Sequence, residues 1–240
     1  MSRAAKYFGS ERSLLQALRC APEELGEVVA ERSDPPIPGD RFVWRDAGMR
    51  LRPPERREPF SVEWRGVGFL EDERPAVVAA YRDFWTQSGT LPNWDAAGMR
   101  STEGGDEWLL VEAKAHLGEL RQSCLAKPAA LGGTRELIEE RLDEVKAALG
   151  VRTDNSWLDP YYQFANRIAT LWFLHEQGVA ARLLHICFTG DEAFADAALS
   201  ANEWGSALAE MDAWMGRPFE HPIEERIHSL VLTVREPEPD

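Results

Sequence analysis

The chain has 240 residues, 44% of them hydrophobic and nine of them tryptophan, which is enough for one sizeable core with an appendage and too apolar for a disordered chain. Its net charge of −14 repels phosphate backbones and argues against broad non-specific binding of nucleic acid, without excluding a local basic groove. No apolar run is long enough to span a bilayer, MSRAAKYFGSERS lacks the apolar core of a signal peptide, and Cys20, Cys124 and Cys187 form no CxxC pair, so a cytoplasmic chain with reduced thiols and no membrane partner is expected.

In chain order, residues 10–31 predict two short helices broken at Pro22, and SDPPIPGD (33–40) predicts a turn or linker. From 42 to 70 the pieces FVW, FSVEW and VGF predict short strands around a Pro-Arg loop. Seven arginines stand against four acids over 41–65, a pattern read first as a solvated, loop-rich face; Trp44 and Trp64 are its candidates for stacking on bases. PAVVAAYRDFWTQ (75–87) predicts a helix with proline in its first turn. Two strands follow, NWDAAG (93–98) and EWLLVEAKA (107–115), joined by a loop containing Gly104 and Gly105. Ile138, Leu142, Val145 and Leu149 recur at helical spacing within a helix over 132–150. A more buried helix over 159–178, an apolar and central strand over 181–191, a helix over 203–216 and a strand over 226–234 complete the pattern. The expected organisation is α/β: an N-terminal part (1–70) of helices and short strands packed on a core (71–235), then a tail (236–240).

One stretch stands out. In WLLVEAKAH (108–116), side chains alternate, so Trp108, Leu110, Glu112 and Lys114 share one face and Leu109, Val111, Ala113 and Ala115 the other. Both faces are mostly apolar, which marks a strand covered on both sides. A lone charge there is expensive, and a purely structural ion pair is a weak source of stability, so Glu112 and Lys114 call for another reason. Asp106 shares their face but lies about 20 Å from Glu112 at ~3.3 Å per residue. Asp95 is better placed. If the hairpin turns midway between Glu103 and Gly104, Asp95 stands opposite Glu112, with the two Cβ atoms about 5 Å apart. Two carboxylates that close need a cation between them or a proton on one of them. Mg²⁺ suits such oxygen ligands, would polarise a phosphoryl oxygen and would acidify a bound water, with Lys114 orienting that water or offsetting charge on the phosphate. The chemistry expected of such a site is hydrolysis of a phosphodiester.

LPNWDAAG followed by WLLVEAKAH resembles the PD-(D/E)XK nuclease superfamily: an acid, a gap, then Glu-x-Lys in an apolar strand. The resemblance covers about 75–190 and implies a restriction-endonuclease-like fold, a mixed β-sheet flanked by helices in the order αβββαβ, with N-terminal and C-terminal additions. It implies Mg²⁺ or Mn²⁺ held by Asp95 and Glu112, a catalytic Lys114, and nucleic acid as partner, DNA ahead of RNA; a homodimer is compatible with it. Pro92-Asn93-Trp94-Asp95 is a loose form of the family's Pro-Asp. Gln163 and Arg167, one turn apart in YYQFANR, look similar to the glutamine-bearing helix of some branches and are candidates to line the site, as is His116, which continues the Glu112 face if the strand continues. Glu144-Val-Lys146 repeats the Glu-x-Lys spacing within the amphipathic helix, where an exposed face is its natural reading. His175-Glu176 lacks the second histidine four residues on that a zinc protease requires. Two rival readings stand beside the nuclease: a nuclease-fold binding or assembly subunit that no longer cuts, and a hydrolase of a small phosphate ester or nucleotide.

Overall fold

The computed structural model describes residues 10, 13, 14, 17, 18, 22–33, 37, 42–45, 64–85, 91–102, 104–127, 133–190 and 199–233. Most of the arginine-rich loop, Cys20 and the tail therefore lie outside the described residues. Among them, no helix is long and apolar enough to cross a membrane.

Five strands form one mixed sheet in the order β1 (Val43–Arg45), β4 (Ala96–Thr102), β5 (Gly105–Lys114), β6 (Ala181–Thr189) and β7 (Ile227–Thr233). β4 pairs antiparallel with β1 on one side and with β5 on the other, whereas β5, β6 and β7 run parallel. Parallel neighbours need long crossovers. The β5–β6 crossover holds α3 (Leu117–Leu120), α4 (Thr134–Ala148) and α5 (Tyr162–Glu176), and the β6–β7 crossover holds α6 (Ala201–Met215). α1 (Pro22–Arg32) precedes β1, and α2 (Pro75–Phe84) precedes the central hairpin. A separate two-stranded sheet pairs β2 (Trp64–Arg65) with β3 (Asn93–Trp94).

Both faces of the main sheet are covered, as the double-sided apolar pattern of β5 demands. Trp108 and Leu110 join the core beneath α2, α4, α5 and α6. Leu109, Val111 and Ala113 face a second core that includes Leu14, Leu25, Val29 and Ile37 of the N-terminal part. That part thus packs on the core and also supplies the edge strand β1. In α4 the helical repeat of Ile138, Leu142, Val145 and Leu149 is buried, while Glu144 pairs on the surface with Arg141.

The hairpin register is set at its turn. Thr102 pairs with Gly105, which adopts φ 111°, a conformation open to glycine without strain. From there the ladder runs to Ala96 opposite Val111. Two expectations need correction. The strand over 93–98 is two strands: Asn93–Trp94 pair with β2, Ala96 onward pair with β5, and Asp95 is the bend between them. VGF (67–69) is not a strand; Gly66 turns the chain at φ 55° and Gly68–Leu70 form a 3-10 turn.

Candidate functional site

The site gathers where β5 ends. Asp95 lies one residue beyond the ladder, yet its amide still donates to the Val111 carbonyl (2.9 Å), and its Oδ2 accepts from the Ala113 amide (2.7 Å). The bend therefore keeps the carboxylate against β5 beside Glu112 rather than releasing it with β3. Glu112 is almost fully buried, as alternation on a doubly covered strand requires.

Two cations meet Glu112. Lys114 donates from Nζ to Oε1, and Arg167 of α5 donates from Nε (2.8 Å) and pairs through its second nitrogen (2.7 Å) at Oε2. Lys114 also donates to Oε1 of Gln163 (2.7 Å), one turn before Arg167. Arg167 is itself over-determined. It donates to Oδ1 of Asn166 (2.6 Å) and to the Asn93 carbonyl, and it lies over the Trp94 ring at 5.2 Å. Asp95, Glu112, Lys114, Gln163 and Arg167, drawn from three separate segments, thus converge.

The two carboxyls titrate in opposite directions. Burial and then the neighbouring Glu112 charge push Asp95 up to about 8, against the pull of Lys114, the Ala113 amide and Arg167. Burial would also raise Glu112, but Arg167 and Lys114 together hold it below the usual carboxylate range. A protonated acid beside an ionised one is the arrangement two close carboxylates adopt without a cation between them. A groove of about 660 Å³ opens beside them, lined by Asp95, Gln163, Asn166 and Arg167 with Tyr162 and Lys127 among its walls.

The other candidates fall elsewhere. β5 ends at Lys114, so His116 does not extend the Glu112 face; it caps the short α3, its Nδ1 accepting from the Gly118 amide (3.1 Å), with Glu119 3.8 Å away. Asp106 sits at the exposed end of the hairpin, bonded to Ser101.

Two features escaped the sequence reading. His185 of β6 stands level with Glu112, packs on Phe164, and has no hydrogen-bond partner for either ring nitrogen. Burial first, then Lys114, push it down to about 3, so its ring is neutral. Its only sequence signal was a histidine inside an apolar strand. The second is a cluster of His175, Glu176 and His221 at the end of α5, in which burial and then His175 lower the His221 pKa. His221 lies in another segment, so no local spacing could signal it. Compared with known proteins, the chain matches no family model, no curated protein and no solved structure.

Proposed function

We propose that the protein is a metal-dependent hydrolase of phosphodiester bonds in nucleic acid, built on a restriction-endonuclease-like core. The observation that carries the reading is the pairing of Asp95 with Glu112 beside Lys114 at the edge of a groove that Asp95, Gln163 and Arg167 line. The run α2, β4, β5, α5, β6 supplies two of the three strands that the αβββαβ order of the sequence resemblance places between its helices, and among the described residues the family's first strand has no counterpart assigned in the main sheet after α2.

The donor set fits a hard divalent ion: two carboxylates crowd each other, and one holds a proton that a cation would displace. Asp95 and Glu112 would hold Mg²⁺ or Mn²⁺, which when bound supplies polarisation of a phosphoryl oxygen and a more acidic water. Arg167 directs two donors at Glu112 Oε2, which leaves Oε1, shared with Lys114, as the oxygen with a lone pair to offer. Gln163 anchors the Lys114 ammonium, so its charge stays where a phosphate entering beside Asp95 would meet it. Lys114 can donate to a non-bridging phosphate oxygen or orient the attacking water. Asn166 and Lys127 on the groove wall offer further donors to a substrate backbone.

A second reading has its own support. Glu112 already meets two cations, and the chain carries a net charge of −14, both of which suit a nuclease-fold subunit that binds without cutting. Asp95→Asn separates the readings. Asn replaces a carboxyl that is protonated near neutral pH, so folding should survive, while the charge needed for a divalent ion is lost. Plasmid, linear duplex, single-stranded DNA and RNA are incubated in Mg²⁺ and in Mn²⁺ with wild type, Asp95→Asn and Lys114→Ala. Cutting by the wild type, abolished by both substitutions in folded protein, supports the hydrolase and names the polymer. No cutting of any polymer, with no Mn²⁺ bound at Asp95 and Glu112, sinks it in favour of the binding subunit. Activity confined to small phosphate esters and insensitive to salt points to the small-substrate enzyme, because polymer binding falls steeply with salt.

A further inference from the structure

We propose that His175, Glu176 and His221 form a second metal site, for a first-row transition ion such as Zn²⁺, at the end of α5 remote from Arg167. One ligand atom from each residue lies within 4.8 Å of the others, and all three side chains reach solvent in part. A tetrahedral ion with bonds of about 2.0–2.1 Å wants its ligands about 3.4 Å apart. The cluster therefore has to close by at most about 1.4 Å, which partly exposed side chains can do by small rotations. Imidazole with carboxylate suits zinc, cobalt or nickel, in contrast to the all-oxygen pair at Asp95 and Glu112.

Three further observations favour a cation here. The His175 and Glu176 side chains make no hydrogen bond and no ion pair with any other described residue. The two imidazoles already meet edge to face, with ring centroids 5.2 Å apart. Both α5 ligands lie in its last turn, where the helix dipole presents partial negative charge. Arg167 and His175 are separated by about 12 Å along the axis at ~1.5 Å per residue, so the two metal sites are distinct.

The His221 ring is not wholly idle. Its Nδ1 accepts a long bond of 3.3 Å from the Ile223 amide at the turn before β7. Metal at Nδ1 takes that lone pair; metal at Nε2 moves the ring proton onto Nδ1. Either way the Ile223 amide loses its acceptor, which gives a readout independent of affinity. Bound metal would tie the end of α5 to the segment that leads into β7. Two histidines and one glutamate leave a fourth position for water, as in open zinc sites.

The test uses the full chain without a histidine tag. Zn²⁺ is titrated by calorimetry, Co²⁺ by visible absorption, and the Ile223 amide is followed by NMR. Expected are one equivalent of Zn²⁺ bound at about micromolar Kd or tighter, four-coordinate Co²⁺ bands, a moved Ile223 resonance and a raised Tm. His175→Ala and Glu176→Gln should each weaken binding at least about tenfold, with the metal-free Tm unchanged; Asp95→Asn should leave binding as it was. Zn²⁺ that fails to bind at about 100 µM, binding that His175→Ala leaves intact, or binding that Asp95→Asn abolishes would each overturn the site.

Discussion

Strand β5 buries two glutamates, on opposite faces, and each meets more than one cation. Glu107 accepts from Arg100 at Oε2 (2.6 Å) and from Arg182 (3.0 Å) and Arg226 (2.8 Å) at Oε1. Burial opposes its charge, but Arg182 and Arg100 hold its pKa below the usual range. None of the Glu107 group lines the groove. Glu112 also meets two cations, yet it crowds a second carboxyl, and Lys114 and Arg167 connect it to groove residues. Burial and ion pairing are common to both ends. What distinguishes the Glu112 end is a second carboxyl, Asp95, held beside it at the edge of a cavity, with its proton retained up to about 8. Opposite charges in a core can serve the fold alone, whereas two acids held together must share a proton or a cation, which is what the proposed function draws on.

The largest expected effect is on stability. Glu112→Ala leaves Lys114 and Arg167 buried without their counter-ion and should cost about 3–5 kcal/mol in urea unfolding. Glu107→Ala should cost less, because the Arg226 side chain is 31% exposed and can turn to water. Equal losses would mean that Arg226 does not relax. Activity should separate the two ends more sharply. On the proposed hydrolase reading, Glu107→Gln should keep phosphodiester cleavage within a few-fold, whereas Asp95→Asn should lower it at least about 10²-fold. A Glu107→Gln variant that is folded yet inactive would break the distinction between a structural end and a functional one.

Much of this contrast was legible in the sequence, because its signals are local. Alternation placed Glu112 and Lys114 on one face, and the glycines at 104 and 105 marked a turn, but the register that sets Asp95 against Glu112 had to be assumed. The helical repeat of α4 needed only its own residues. Asp95 as a bend was not legible, because it depends on β3 leaving to pair with Trp64–Arg65, about 30 residues earlier in sequence. His116 shared the Glu112 face only if the strand continued, and it does not: the strand ends at Lys114 and His116 caps α3. The Glu107 arginines come from Arg100, Arg182 and Arg226, and no period encodes a contact between segments so far apart. Arg167 was suspected only through a family likeness; its bonds to Glu112 need the crossover geometry of α5.

A pH series probes the like-charge pair directly. Asp95 in the folded chain keeps its proton up to about 8, whereas the unfolded carboxyl releases it near 4. Over that window the folded state binds more protons, so stability conferred by this group is present below about 4 and is lost as pH rises through 8. Glu112 acts in the opposite sense: its folded pKa is depressed, so its contribution is present above the unfolded value and fades only in acid. Unfolding free energies at pH 5, 7 and 9 should therefore show a downward Asp95 component that Asp95→Asn removes. Saturating Mg²⁺ should flatten the same slope, since a bound cation favours the ionised carboxylate. A slope that ignores both would mean that Asp95 and Glu112 are not coupled.

The smallest effect belongs to His185, and its sign is the informative part. Its ring is 1% exposed, both nitrogens lack partners, and burial with Lys114 pushes its pKa down to about 3. Arg217 and Arg167 add to that push, while Glu112 opposes it. The unfolded ring binds a proton below about 6.5, so stability is full above that value and declines as pH falls toward 3. Replacing a buried, unsatisfied ring by an apolar side chain removes a desolvation penalty without removing a bond. His185→Leu should then leave stability at pH 7 within about 1 kcal/mol of wild type or raise it, and should make the acid limb shallower. Arg182 offers the contrast at the other end, since its guanidinium bonds to Glu107, to the Glu225 carbonyl and to His228. Arg182→Met should cost stability at every pH, because it strips a satisfied network. If His185→Leu instead costs more than about 2 kcal/mol, the ring holds a hydrogen bond in solution, with Glu112 or with a water beside it. The polar network around Glu112 would then extend across to β6, and the two ends of β5 would differ less in their satisfaction than in their access to the groove.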